Sequence, residues 1–156
     1  MIKNLRYFII FLFLFGCGYS PIYEVNQKLN LRIDTINYSG DKKIGRVIEK
    51  GLEKFKNNEA ENAFDVDFTS FKRQEIVTKD KKGDASSFKI VIEIVLNLEN
   101  KINNRNFSKK FIKEATFDSM DNKFELDQYK DNIEKNMMFK ILQEINIFFS
   151  VVENDL

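Results

Sequence analysis

Residues 88–98, FKIVIEIVLNL, decide the fold of this 156-residue chain. Apolar side chains occupy every second position of this stretch: Phe88, Ile90, Ile92, Ile94, Leu96 and Leu98. A period of two is that of a β-strand with one face against a core. Val91 and Val95 add apolar groups to the second face, which indicates a central strand that is covered in part on both faces.

Two further alternating runs flank this strand along the chain. Residues 64–78 begin FDVDFT, and residues 107–117 read FSKKFIKEATF. Short polar loops, KDKKGDASS at 79–87 and NKINNRN at 100–106, join the three runs. Because such short connections link antiparallel neighbours, these strands are expected to form a meander.

The remaining elements complete a two-layer domain. Residues 29–38 alternate as a half-buried strand, and the apolar stripe over 42–56 predicts a surface helix. A second stripe over 125–152 predicts a long amphipathic helix. Strand, helix, three strands and helix predict an α+β fold, a two-layer sandwich with a four-stranded mixed sheet and both helices packed on one face.

The residue inventory excludes several chemistries. The chain has no His and one Cys, so zinc or iron sites built on these residues and Ser-His or Cys-His nucleophiles are excluded. A net charge of +1 argues against a nucleic-acid partner. Asp65 and Asp67 are better explained as a polar strand face than as an acid–base pair, and Met137 and Met138 as core rather than a binding groove. A hydrolase is therefore disfavoured, and we expect no catalytic residue, metal or cofactor.

The N-terminus has the pattern of an export signal. Lys3 and Arg6 precede an apolar run from Tyr7 to Phe15, which ends abruptly at Gly16. Nine residues are too few for a transmembrane helix, which needs about 20, but they match the apolar region of a signal peptide. An ordinary secretory signal and an uncleaved anchor remain open from these residues.

Leu14-Phe15-Gly16-Cys17 resembles the lipobox of bacterial lipoproteins. The resemblance implies that residues 1–16 are a lipoprotein signal peptide and that Cys17 carries N-terminal acyl and diacylglyceryl groups. Residues 17–28 would then be a tether, with the folded domain at 29–156. Gly18, rather than Asp, follows the cysteine, which by the sorting rules of lipoproteins implies the outer membrane, lipid-anchored on its periplasmic side.

The order of elements and the segment CGYSPIY at 17–23 resemble the LptE family of lipopolysaccharide-assembly lipoproteins. IGRV at 44–47 matches the start of the family's first helix, and residues 110–145 match its last strand and final helix. The resemblance implies a non-catalytic plug that docks inside the outer-membrane β-barrel LptD and binds lipopolysaccharide. The alternative is a periplasmic, membrane-tethered carrier of a lipid or another ligand.

Lipopolysaccharide presents phosphates and acid sugars, so a site for it requires accessible cations. Lys79, Lys81 and Lys82 form the favoured cluster, in the loop that follows the second strand. A second basic group occupies the next loop and strand: Lys101, Arg105, Lys109 and Lys110. Each cluster could also be a solvated turn that keeps the domain soluble.

Overall fold

The computed structural model describes residues 29–56 and 59–156, so the predicted signal peptide, Cys17 and the tether lie outside the described residues. The elements in chain order are β1 (Leu31–Gly40), α1 (Lys42–Leu52), β2 (Asn62–Lys79), β3 (Ala85–Asn100), β4 (Asn106–Asp118) and α2 (Lys123–Asn154). A single 3-10 turn, Glu53–Phe55, extends α1.

The four strands form one sheet in the order β1-β2-β3-β4. β1 pairs parallel to β2, while β2–β3 and β3–β4 are antiparallel. The parallel pair requires a crossover, which α1 supplies. The predicted α+β fold with a mixed four-stranded sheet and two helices is confirmed.

The core lies between the sheet and the two helices. Ile92, Ile94, Leu96 and Leu98 of β3 are completely buried, as the period of two predicts. Both helices bury apolar side chains against this face: Ile44, Ile48 and Leu52 from α1, and Met137, Met138, Ile141, Ile145 and Phe149 from α2. The two methionines are therefore core residues, as expected from their spacing.

Side-chain caps fix where the helices begin. The Asp41 side chain accepts hydrogen bonds from the backbone N–H groups of Lys43 and Ile44 at the start of α1. Asn122 does the same for Phe124 and Glu125, so α2 begins at Lys123, two residues before the predicted start. No described helix combines the length and apolarity required to cross a bilayer.

Within residues 29–56 and 59–156, no helix covers the other face of the sheet, and polar pairs cross its strands. The Thr35 hydroxyl donates to Asp65 Oδ1 (2.5 Å), and Asn37 Nδ2 donates to Asp67 Oδ1 (3.0 Å). The two aspartates thus hold β1 to β2, which confirms their interpretation as a polar strand face.

Candidate functional site

The β2–β3 hairpin extends beyond the end of β1. The last register pair of β1 and β2 is Gly40 with Ser70, and the Asp41 N–H donates to the Ser70 carbonyl (3.0 Å). Gly40 has φ 93°, and a Cβ there would lie 2.0 Å from the Ser70 carbonyl oxygen. The chain therefore leaves the sheet at this point, and residues 71–79 of β2 continue as an exposed edge.

The tip of the hairpin is a turn that its own backbone and Asp80 hold together. The Gly83 N–H donates to the Asp80 carbonyl (3.1 Å), and the Asp80 N–H donates to the Asp84 carbonyl (2.8 Å). Asp80 Oδ1 accepts from the N–H groups of Lys82 (2.8 Å) and Asp84 (2.9 Å). None of these bonds uses a lysine side chain, so the turn forms independently of the lysine ammonium groups.

Lys79, Lys81 and Lys82 are all exposed on this turn. Within the described ranges, no carboxylate lies close enough to form an ion pair with any of the three ammonium groups. Ile76 and Val77, which precede them on β2, are 55% and 50% exposed. The tip thus presents cations beside apolar side chains, a combination suited to an amphipathic ligand with anionic groups.

Lys101, in the second basic group, is already engaged in holding the fold. Its Nζ lies 3.2 Å from Asp34 Oδ2 and 3.8 Å from Asp65 Oδ2, so it ties the β3–β4 loop to β1 and β2. Hydrogen bonds from Arg32 and then from Lys101 hold the pKa of Asp34 below its usual value. The ammonium group of Lys101 is therefore already paired with carboxylates of the sheet.

The other members of the second group are engaged as well. Arg105 Nη1 donates to the Asp155 carbonyl (2.7 Å) at the end of α2. Lys109 Nζ lies over the rings of Phe111 (5.6 Å) and Phe148 (5.3 Å), and Lys110 Nζ pairs with Glu93 Oε1 (2.7 Å). The side chains of the second basic group therefore all have partners within the fold. The hairpin lysines, which form no ion pair within the described ranges, remain as the candidate site.

The two clusters also lie at opposite ends of the sheet. β3 runs 16 residues from Ala85 at the tip to Asn100 beside the β3–β4 loop, a distance of about 50 Å. Leu31, the first residue of β1, pairs with Asn62 at the far end from the tip. The described part of the chain therefore begins at the end of the sheet away from Lys79, Lys81 and Lys82.

A charged cluster that the sequence analysis missed lies between α1, β2 and α2. Glu134 is buried on α2, and its carboxylate contacts Lys43 Nζ and Lys72 Nζ, each at 3.1 Å. Lys43 also contacts Asp131 Oδ1 at 2.8 Å. The available signal was an acidic residue beside Ile133 within an apolar helical stripe. Among the described residues, no group of three or more side chains could hold a metal ion.

The fold is one that bacterial lipoproteins adopt. Rare lipoprotein B from Shewanella oneidensis superposes with a TM-score of 0.59 at 8% identity, over 78% of this chain and 97% of its own. Uncharacterized lipoprotein B from Nitrosomonas europaea matches with a TM-score of 0.52 at 12% identity, over 75% and 83% of the two chains. A lipoprotein from Caulobacter crescentus gives 0.52 at 12% identity, over 80% and 90%.

These likenesses extend over nearly the whole length of the solved lipoproteins, and at such low identity they concern the fold alone. No protein-family model matches the chain, and no curated protein matches it significantly in sequence.

Proposed function

We propose that this chain is an outer-membrane lipoprotein, anchored through Cys17, that docks in the β-barrel LptD and assists lipopolysaccharide assembly. Its role is non-catalytic: it acts as a plug and as a lipopolysaccharide-binding subunit. The observation that carries the proposal is the fold shared with solved bacterial lipoproteins, together with the lipobox-like Leu14–Cys17. The CGYSPIY segment at 17–23 supports the assignment to LptE.

The hairpin tip supports the binding part of the proposal. Lys79, Lys81 and Lys82 are exposed and free of ion pairs within the described ranges, so a phosphate can reach them without displacing a carboxylate. Ile76 and Val77 lie next to them on β2 and can contact the apolar part of the same ligand. Side chains that can bind anionic groups and side chains that can contact apolar groups thus lie together in one short segment, residues 76–82.

The carrier alternative receives less support from the packing. A carrier needs an apolar cavity, whereas the space between sheet and helices is filled by buried side chains such as Ile94, Leu96, Ile141 and Phe149. A ligand bound to the described domain would therefore lie at its surface.

Affinity purification of the tagged, full-length chain from outer membranes tests the proposal. We expect a one-to-one complex with a large β-barrel that persists in detergent and high salt, because a plug is enclosed by its partner. A chain that purifies alone with bound lipid would instead favour the carrier, and a chain with neither would contradict both.

A further inference from the structure

The outer edge of β4 carries backbone groups that have no strand beside them. β4 is the last strand of the sheet, so only one of its sides is paired within the described part of the chain. The Ser119 N–H donates to the Ser86 carbonyl (2.8 Å), and the Asn100 N–H donates to the Arg105 carbonyl (2.9 Å). Odd-numbered residues of β4 therefore face β3, and because backbone direction alternates along a strand, the even-numbered ones face outward. The outer edge thus presents the N–H and C=O groups of residues 108, 110, 112, 114 and 116.

The lysines of β4 do not shield this edge with free charge. Sheet edges are often protected by lysine side chains, which disfavour the approach of another strand. The fold engages all three lysines of β4: Lys109 lies over two aromatic rings, Lys110 pairs with Glu93, and Lys113 pairs with Glu144. Their ammonium groups therefore have partners within the chain, and the edge is accessible to a further strand.

Apolar side chains are exposed on both faces of the sheet beside this edge. Ile112 is 47% exposed on the face away from the helices, and Ile147 of α2 is 52% exposed on the helix side. The two line one surface groove of about 490 Å³, and Val151, one helical turn further along α2, is 51% exposed. The outer strand at the opposite side of the sheet, β1, exposes no large apolar side chain among residues 31–40. The surroundings of β4 therefore favour its burial against a partner.

These features define the chemistry of the occupant. Alternating N–H and C=O groups are satisfied by an extended segment that adds to the sheet as a fifth strand. Side chains of such a strand alternate between the two faces, so one contacts Ile112 and the next contacts Ile147. Glu114, two residues from Ile112 on the same face, is exposed and makes no ion pair in the described part of the chain. A basic side chain directly opposite Glu114 would supply its counter-charge.

We propose that an extended segment of the barrel partner adds to β4 as a fifth strand, with consecutive apolar residues at Ile112 and Ile147 and a basic residue at Glu114. Strands of a closed barrel have no free edge, so the segment belongs to a loop or a chain end of the barrel that folds into the lumen. One copy of the chain takes part, as in a one-to-one plug. The inference rests on the proposed function for the identity of the partner, and adds to it the surface and the mode of contact.

Hydrogen exchange of the backbone amides tests the added strand. The full-length chain is compared alone in detergent and in its purified complex with the barrel, and exchange is read residue by residue by mass spectrometry. The amides of residues 110, 112 and 114 are expected to exchange at least about 100-fold more slowly in the complex, because each N–H gains a hydrogen bond within the enlarged sheet.

The amides of Lys72 and Gln74 are the matched control. They follow Ser70, whose carbonyl faces outward to Asp41, so their N–H groups lie on the exposed edge of β2. Their exchange rates are expected to change less than about threefold between the free chain and the complex.

Charge reversal tests the residue opposite Glu114. Glu114→Lys places like charges directly opposite each other, so protection of the Ile112 amide in the complex should fall about tenfold. Glu53→Lys makes the same change of charge at an exposed position after α1 and should leave this protection unchanged. Neither carboxylate makes an ion pair in the described part of the chain, so both variants should keep the fold.

The outcomes separate this inference from the proposed function. A complex with the barrel in which residues 110, 112 and 114 exchange as fast as in the free chain overturns the inference and leaves the plug intact. Equal slowing at Lys72 and Gln74 overturns it as well, because exclusion of water by the barrel would then explain the result. Unchanged protection in Glu114→Lys would rule out the basic residue and with it the proposed occupant. A chain that purifies without a barrel contradicts the proposed function, and this inference with it.

Discussion

Glu134 of α2 and Lys72 of β2 form an ion pair, Oε1 to Nζ at 3.1 Å, beneath the layer of helices. The same carboxylate binds Lys43 of α1, so a single side chain joins three elements. We expect Glu134→Ala to lower the free energy of unfolding by about 2–3 kcal/mol, because two ammonium groups lose a buried partner while retaining some access to water.

Urea unfolding of the full-length chain, followed by circular dichroism, measures this loss. Asp131→Ala is the matched control, since it removes a carboxylate from the same Lys43 at an exposed position and should cost much less. Equal decreases in the free energy of unfolding of the two variants would show that the burial of Glu134 does not increase its contribution to stability.

Gly40 is expected to tolerate no side chain. Both Gly40 and Gly83 have a positive φ, but a Cβ at Gly40 would lie 2.0 Å from the Ser70 carbonyl oxygen, whereas nothing lies within 4 Å of a Cβ at Gly83. Gly83→Ala should therefore cost about 1–2 kcal/mol for its backbone conformation alone. Gly40→Ala should cost more than about 3 kcal/mol, because β1 must shift away from β2. Similar unfolding midpoints for the two variants would contradict this view of the β1 terminus.

Three exposed carboxylates predict how stability depends on pH. The pKa values of Asp34, Glu75 and Asp131 are lowered, chiefly by hydrogen bonds from Arg32, Arg73 and Lys43 respectively. A pKa that is lower in the folded state contributes stability above the unfolded value, and this stability is lost as the pH falls through the folded value. The urea midpoint should therefore decrease below about pH 4.

The double variant Asp34→Asn/Asp131→Asn should show a weaker dependence over the same acidic range. Lys43 has the opposite sign: its pKa is raised, first by Asp131 and then by Glu134, so its contribution is lost only at alkaline pH. An unchanged acid profile in the double variant would mean that these pairs do not contribute to stability.

Neutralising the hairpin lysines should weaken lipopolysaccharide binding without unfolding the domain. The variant Lys79→Gln/Lys81→Gln/Lys82→Gln removes three charge-assisted contacts, so we expect an affinity about tenfold lower or more, measured by isothermal titration. The control Lys42→Gln/Arg46→Gln/Lys50→Gln removes the same charge from the exposed side of α1 and should retain the affinity. Equal affinities in a folded hairpin variant would refute the site.

Replacing Cys17 should release the chain from the membrane. A cysteine that carries a diacylglyceryl group and an N-terminal acyl group anchors a protein stably in a membrane. The polypeptide after Cys17 has nearly balanced charge, so charge alone would not hold it at the membrane surface. We expect Cys17→Ser to appear in the soluble periplasmic fraction, and mass spectrometry of the unaltered protein to show a lipidated N-terminal fragment beginning at residue 17. An intact starting methionine on the mature chain would contradict the lipoprotein assignment.

The period of two in β3 was sufficient to predict the central strand, because its pattern reflects burial on one face and needs no knowledge of its neighbours. The exposed edge of β2 at residues 71–79 was not predictable in this way. It depends on β1 ending at Gly40 while β2 continues to Lys79, and that mismatch is a matter of register between strands.

The same distinction applies to the candidate site. Both basic clusters are visible in the sequence. Only the fold shows that Lys101 forms an ion pair with Asp34 and Lys110 with Glu93. The hairpin lysines, in contrast, form no ion pair within the described ranges. The cluster around Glu134 was not predictable from the sequence, because its partners Lys43 and Lys72 are far away along the chain. Local sequence patterns were thus sufficient to predict strands and helices. Which charged side chains pair with one another depends on how the fold arranges them in space.

The parallel pairing of β1 with β2 also sets a length scale. The hydrocarbon layer of a bilayer is about 30 Å thick, and the strands that separate Leu31 from the lysine-bearing turn span about 50 Å. If the proposed docking holds the strands upright in a barrel, with the acyl chains of Cys17 in the inner leaflet, the described domain would be longer than the hydrocarbon layer is thick. Its ammonium groups would then reach the level of the outer leaflet without any part of the chain having to move.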